Sequence, residues 1–80
     1  MYQPEPATEK QFKYFVYLCK GIKNMSAPRM GRIQDYITKR YKLFRFSDIN
    51  KDQMIIAIDM ITRHYNGSFK KFVINSSYNL

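Results

Sequence analysis

The chain has 80 residues, enough for one small domain, and its 45% hydrophobic and 16% aromatic content excludes a disordered chain. The formal net charge of +8 favours a polyanionic partner: nucleic acid, an anionic membrane surface or an acidic protein. The single cysteine excludes an internal disulfide, and with only one histidine we expect no metal site, no Ser-His-Asp triad and no cofactor.

Residues 1–7 contain Pro4 and Pro6 and no apolar run. They predict a flexible arm and not a signal peptide, and we expect Met1 to be a natural start. No apolar segment approaches the roughly 18 residues that a membrane span needs. We therefore expect a soluble protein of the reducing cytoplasm with no membrane partner.

The first predicted helix covers about residues 9–23. Thr8 and Gln11 have the spacing of a capping box, and Gly21 and Asn24 mark the end of the helix. Its apolar positions recur at helical spacing: Phe12, Phe15, Val16, Cys19 and Ile22.

The second predicted helix covers about residues 27–41, with Ser26 as N-cap and Pro28 in the first turn. Its apolar stripe is Met30, Ile33, Ile37 and Tyr41. The aromatic connector that follows, residues 42–49, contains Leu43, Phe44 and Phe46. We expect this connector to fold back over the core.

The third predicted helix covers about residues 51–65 and begins with a second capping box, Asn50 with Gln53. Its buried stripe is Met54, Ala57, Ile58, Ile61 and Tyr65, and Ile55, Ile56 and Met60 are expected to widen it. The apolar residues of the tail, 67–80, suit either a helical turn or a short strand. The pattern predicts an all-α fold, a three-helix bundle spanning 8–66.

Projection of the helices at 100° per residue separates basic side chains from the apolar stripes. On the first helix the projected basic stripe is Lys10, Lys13 and Lys20, with Tyr17 among them. On the second it is Arg29, Arg32, Tyr36, Lys39 and Arg40, and Lys42 and Arg45 continue it into the connector.

Two interpretations of these stripes stay open. The cations can follow a phosphate backbone, with Tyr36 or Tyr17 stacking on bases. Alternatively, the tyrosines pack beneath Lys and Arg stems at the margin of the core. A helix-turn-helix that reads sequence is disfavoured, since Gln34 is the only candidate base reader and it faces the apolar side.

The remaining polar residues predict structural roles. Cys19 lies on the apolar stripe, and His64 lies at a helix end where a cation is favourable. The acidic residues are dispersed and form no catalytic pair, so we expect no enzymatic activity.

The order of these elements resembles small helical domains of phage proteins. The resemblance rests on Thr8-x-x-Gln11, Lys39-Arg40-Tyr41, the run Phe44-x-Phe46-Ser47-Asp48-Ile49, and a capped helix with Gln53 and Ala57. The resemblance extends over residues 8–65. The similar domains are the C-terminal domains of annealing proteins of the Red beta and RecT kind, the C-terminal domain of Rha-type antirepressors, and the Mu-type GemA protein. Those families often have Gly where this chain has Lys42-Leu43.

The resemblance implies a non-enzymatic accessory domain in phage DNA recombination, replication or regulation, and transfers no functional residue. Together with the basic stripes, it predicts binding of nucleic acid, with DNA favoured over RNA. The alternative is a small phage-type protein that binds and modulates an acidic host protein. A third possibility is self-association through Ile55, Ile56 and Met60.

Overall fold

The computed structural model describes residues 4–76, and within that range the protein is all-α. The helices are α1 (Glu9–Val16), continued by a π-helical segment (Tyr17–Ile22), α2 (Ala27–Arg40), α3 (Lys51–His64) and α4 (Phe69–Ser76). A short 3₁₀ turn, Phe46–Asp48, lies between α2 and α3. The predicted all-α class is confirmed, with a fourth helix in the tail.

The predicted helix starts are confirmed by their hydrogen bonds. The amide of Gln11 donates to Thr8 Oγ1 (3.1 Å), and the amide of Thr8 donates to Gln11 Oε1 (2.9 Å). Asn50 and Gln53 form the same reciprocal pair, at 2.8 and 3.1 Å. These side chains satisfy amides that have no partner inside the helix, which fixes where α1 and α3 begin.

The first helix changes from α to π hydrogen bonding at Tyr17. The wider π turn rotates the following side chains away from the 100° projection. Leu18 and Cys19 are buried, whereas Ile22, at the end of the π-helical segment, is 52% exposed. The prediction that Val16 and Ile22 belong to the core is wrong, since Val16, at the end of the α-helical part, is also exposed.

Helix α2 ends in a Schellman motif. The amide of Leu43 donates to Thr38 O (2.9 Å), and the amide of Lys42 donates to Lys39 O (3.2 Å). This geometry gives Lys42 a φ of 55°, a left-handed conformation that glycine adopts most easily.

Helices α1 and α3 lie side by side and run in the same direction. Gln11 Nε2 donates to Lys51 O (3.3 Å) at one end of the pair, and Lys23 Nζ donates to Thr62 O (3.1 Å) at the other. The predicted flexible arm is tied to the start of α3 by backbone hydrogen bonds of Glu5 and Ala7. Residues 1–3 of that arm lie outside the described residues.

The core contains the predicted centres of all three helices. Its fully buried members include Phe15, Ile33, Ile37, Met54 and Ile61. Two expectations about its margins are wrong. The connector places Phe46 against Phe12 and Phe15, but Phe44 is 89% exposed. Met60 is buried, whereas Ile55 and Ile56 are exposed.

The tail, left open between a turn and a strand, forms α4 and completes the core. Phe72 is fully buried and makes edge contacts with the rings of Tyr65 and Tyr36. The described part of the segment 67–80 thus belongs to the helical globule, and residues 77–80 lie outside the described range.

Candidate nucleic-acid interface

Helix α1 presents its predicted cations to solvent. Lys10, Lys13 and Lys20 are all exposed, and Lys13 pairs with Glu9 at 3.3 Å. Both partners of that pair are largely exposed, so it contributes little stability and leaves Lys13 available to a stronger anion. The π turn changes the direction of Lys20 relative to Lys10 and Lys13, so the three are less closely aligned than the α-helical projection predicted.

Helix α2 presents three of its predicted residues in the same way. Arg32, Lys39 and Arg40 are exposed, and none of them forms an ion pair within residues 4–76. The carboxylate of Asp35 lies on the same helix but is not within 4.0 Å of their charged groups. Within the described residues, this outer edge of α2 therefore carries three cations without an ion pair, with the carboxylate of Asp35 on the same helix.

Arg29 differs from the exposed cations because its side chain is partly buried and donates hydrogen bonds within the protein. Its Nη1 donates to the hydroxyl of Tyr65 (3.1 Å) and to the carbonyl of Gly67 (2.9 Å). These bonds tie the start of α2 to the end of α3 and to the loop before α4. Arg29 thus has a structural role, and its predicted phosphate contact receives no support from this geometry.

Tyr36 is likewise engaged by α4. Its ring is partly buried and makes edge contacts with Phe69 and Phe72, at centroid distances of 6.5 and 5.6 Å. Its hydroxyl lies 3.1 Å from Ser76 Oγ, within hydrogen-bond distance. The arrangement favours the alternative in which this tyrosine packs at the core margin, because α4 occupies the surface that stacking would need.

The connector continues the positive surface from α2 toward α1. Lys42 and Arg45 are exposed, and Arg45 forms a long ion pair with Asp48 at 4.0 Å. The guanidinium of Arg45 lies 5.8 Å from the ring centroid of Phe44. Since Phe46 packs on Phe12 of α1, the connector carries Arg45 alongside the first helix.

Three further exposed residues were not among the predicted site residues. Tyr14 lies on α1 and contacts Tyr17, and Lys70 and Lys71 are exposed on α4. Tyr14 could have been found from its spacing, four residues after Lys10 and three before Tyr17. The positions of the two lysines could not be predicted, because the sequence does not distinguish a helical turn from a strand in the tail.

A pocket of about 270 Å³ lies between the loop 23–26, the first turn of α2 and the residues that follow α3, and its lining includes Lys23, Arg29 and Tyr65. The two cations in this lining already donate to backbone carbonyls, Lys23 to Thr62 and Arg29 to Gly67. The pocket is therefore a by-product of the bonds that close the helix ends.

The remaining features that could have a chemical role are Cys19 and any group of metal-binding side chains. Cys19 is fully buried, and this burial raises the pKa of its thiol from 9.0 to about 11. Among the described residues no three His, Cys, Asp or Glu side chains are grouped as metal ligands. No helix in that part of the chain is long and apolar enough to cross a membrane.

Comparisons with models of known protein families, with curated proteins and with solved structures find no match for this chain. The resemblance to phage helical domains therefore rests on the quoted residues alone and stays a prediction. What the geometry adds is a pair of exposed basic surfaces, one on α1 and one on the outer edge of α2 with the connector.

Proposed function

We propose that this chain is a non-enzymatic nucleic-acid-binding accessory module that acts in phage or mobile-element DNA recombination, replication or regulation. It binds the phosphate backbone through exposed cations. The observation that supports this is the outer edge of α2 and its continuation, where Arg32, Lys39, Arg40 and Lys42 are exposed without an ion pair in the described part of the chain. Unpaired cations in a row match the repeating charge of a phosphate backbone.

A titration of labelled DNA at low and higher salt tests the proposal. If four phosphates are neutralised, affinity falls by about 50- to 150-fold between 50 and 200 mM salt, from slopes of roughly −0.7 to −0.9 per contact. Absence of binding at low salt contradicts the proposal, and so does binding that salt leaves unchanged.

A second candidate, an acidic protein partner, is favoured by Phe44. This ring is 89% exposed next to Arg45, and a large apolar side chain beside a cation is typical of protein interfaces. Under this candidate, Phe44→Ser abolishes capture of a stoichiometric partner from nuclease-treated lysate, while DNA affinity at low salt is weak for the wild type. Under the nucleic-acid proposal, Phe44→Ser leaves affinity for duplex DNA within about twofold of wild type, because phosphate charge supplies nearly all of non-specific duplex binding.

A further inference from the structure

Two tyrosines of the first helix are exposed: Tyr14 in α1, and Tyr17 at the start of the π-helical segment that continues it. Tyr17 is 60% exposed and Tyr14 is 46% exposed. Their ring centroids lie 6.2 Å apart and the ring planes are inclined by 50°. Unlike Tyr36 and Tyr65, neither ring has a contact with a phenylalanine of the core in the described residues. The pair forms an aromatic surface open to solvent.

The backbone at Gly21 lies directly against the ring of Tyr17. A Cβ atom at Gly21 would lie 3.1 Å from both Cδ1 and Cε1 of Tyr17, closer than ordinary van der Waals contact. The absence of a side chain at Gly21 lets the ring lie over the π-helical segment. Segments of this kind occur frequently at functional sites in helices.

Each tyrosine has a lysine four residues before it on the same helix, Lys10 before Tyr14 and Lys13 before Tyr17. Residues at this spacing are neighbours on a helix surface. Glu9 supplies the only carboxylate between residues 9 and 22, and it lies at the start of the helix. The aromatic pair is thus bordered by positive charge along its length.

We propose that Tyr14 and Tyr17 stack on unpaired bases of single-stranded nucleic acid while Lys10 and Lys13 contact its phosphates. This inference rests on the proposed nucleic-acid function and adds a site on α1, separate from the edge of α2. The bases of a duplex are already stacked on each other, so an exposed aromatic pair can engage only a strand whose bases are unpaired. The lysines are indifferent to base identity, and so is stacking, because every base has a π-face.

Three ligands of equal length separate the contributions: oligothymidylate, the same strand without bases, and a duplex. The wild-type chain is expected to bind oligothymidylate more tightly than the abasic strand, because both carry the same phosphates. The double variant Tyr14→Leu/Tyr17→Leu removes the rings and keeps apolar side chains. Its affinity for oligothymidylate is expected to fall by roughly 5- to 150-fold for each base that stacks.

The matched control is Tyr14→Phe/Tyr17→Phe, which keeps both rings and is expected to bind oligothymidylate within about twofold of wild type. In the leucine variant, affinity for the duplex and the abasic strand is expected to be unchanged. The inference is overturned by a leucine variant that binds oligothymidylate like wild type, or that loses affinity equally for all three ligands. If all three ligands bind in a salt-dependent way and the leucine variant binds like wild type, the stacking inference fails but the proposed function stands. If the wild-type chain binds none of the three ligands, the inference and the proposed function are both contradicted.

Discussion

Arg29 and Arg32 lie one turn apart on α2, and the structure gives them different roles. Arg29 donates to the Tyr65 hydroxyl and the Gly67 carbonyl at 3.1 and 2.9 Å. Arg32 is exposed and forms no ion pair between Pro4 and Ser76. Changing either residue to alanine removes one positive charge from the same helix, so the two variants separate a stabilising role from a binding role.

The magnitudes follow from these contacts. A hydrogen bond from a charged donor contributes about 1.5–3 kcal/mol, less where water reaches it, as at Gly67. Removing a cation from the first turn of a helix stabilises the folded protein by about 0.3–1 kcal/mol, because the positive end of the helix dipole repels it. We therefore expect Arg29→Ala to lower the free energy of unfolding by about 1–3 kcal/mol and Arg32→Ala by at most about 0.5 kcal/mol. In a domain of this size, 1 kcal/mol changes the melting temperature by about 4–8 °C.

Urea unfolding followed by circular dichroism measures the stability difference, and a low-salt DNA titration measures the binding difference. The expected order reverses between the two assays: Arg29→Ala is the less stable variant, and Arg32→Ala binds DNA more weakly. Equal stability of the two variants within about 0.5 kcal/mol, or a larger loss in Arg32→Ala, would refute the structural role assigned to Arg29.

Three further predictions concern stability. Lys42→Gly is expected to raise the free energy of unfolding by about 0.5–1 kcal/mol, because φ at this residue is 55°; an unchanged or lower urea midpoint contradicts this. Phe72→Ala is expected to lower the free energy of unfolding by about 3–5 kcal/mol, since the ring is fully buried. Ile74→Ala, on the exposed side of α4, is expected to lower it by about 0.5 kcal/mol or less. Similar losses in the two variants would contradict the packing of α4 against the core. Stability is expected to decrease between pH 9 and 11, because the unfolded chain releases the Cys19 proton near 9.0 and the folded chain retains it to about 11. The Cys19 contribution, up to about 2–3 kcal/mol, should be missing in Cys19→Ala, in which the raised pKa of Tyr41 still contributes; identical pH profiles for the two proteins would contradict it.

The helix starts and the inner faces were predictable because local chemistry sets them. Thr8 with Gln11 and Asn50 with Gln53 satisfy amides three residues away, so the sequence contains both partners of each cap. The spacing of Ile33 and Ile37 likewise defines the buried side of α2 without knowledge of any other element.

The roles of Arg29 and Tyr36 were not predictable in this way. Their hydrogen-bond partners Tyr65, Gly67 and Ser76 lie 36, 38 and 40 residues away in the chain. Two of those three belong to the loop and helix of the tail, whose short apolar run does not distinguish helix from strand. Projection of α2 alone therefore placed these two side chains with the solvent-facing cations.

The switch to π hydrogen bonding at Tyr17 had no clear signal in the sequence apart from Gly21. It accounts for the exposure of Ile22 at the end of the π-helical segment, where the Tyr17 ring lies over the glycine. The stacking surface on α1 thus depends on a change of helix type that side-chain periodicity does not reveal.

The slope of log affinity against log salt, compared between matched variants, tests the central claim most directly. In Arg32→Ala/Arg40→Ala the slope for DNA is expected to decrease by roughly 1.4–1.8 relative to wild type, as two phosphate contacts are lost. In Lys51→Ala/Arg63→Ala, two cations of α3 that already pair with Glu5 and Asp59 are removed, and the slope is expected to change little. Equal changes in the two double variants would show that only net charge matters and would contradict a binding surface on α2.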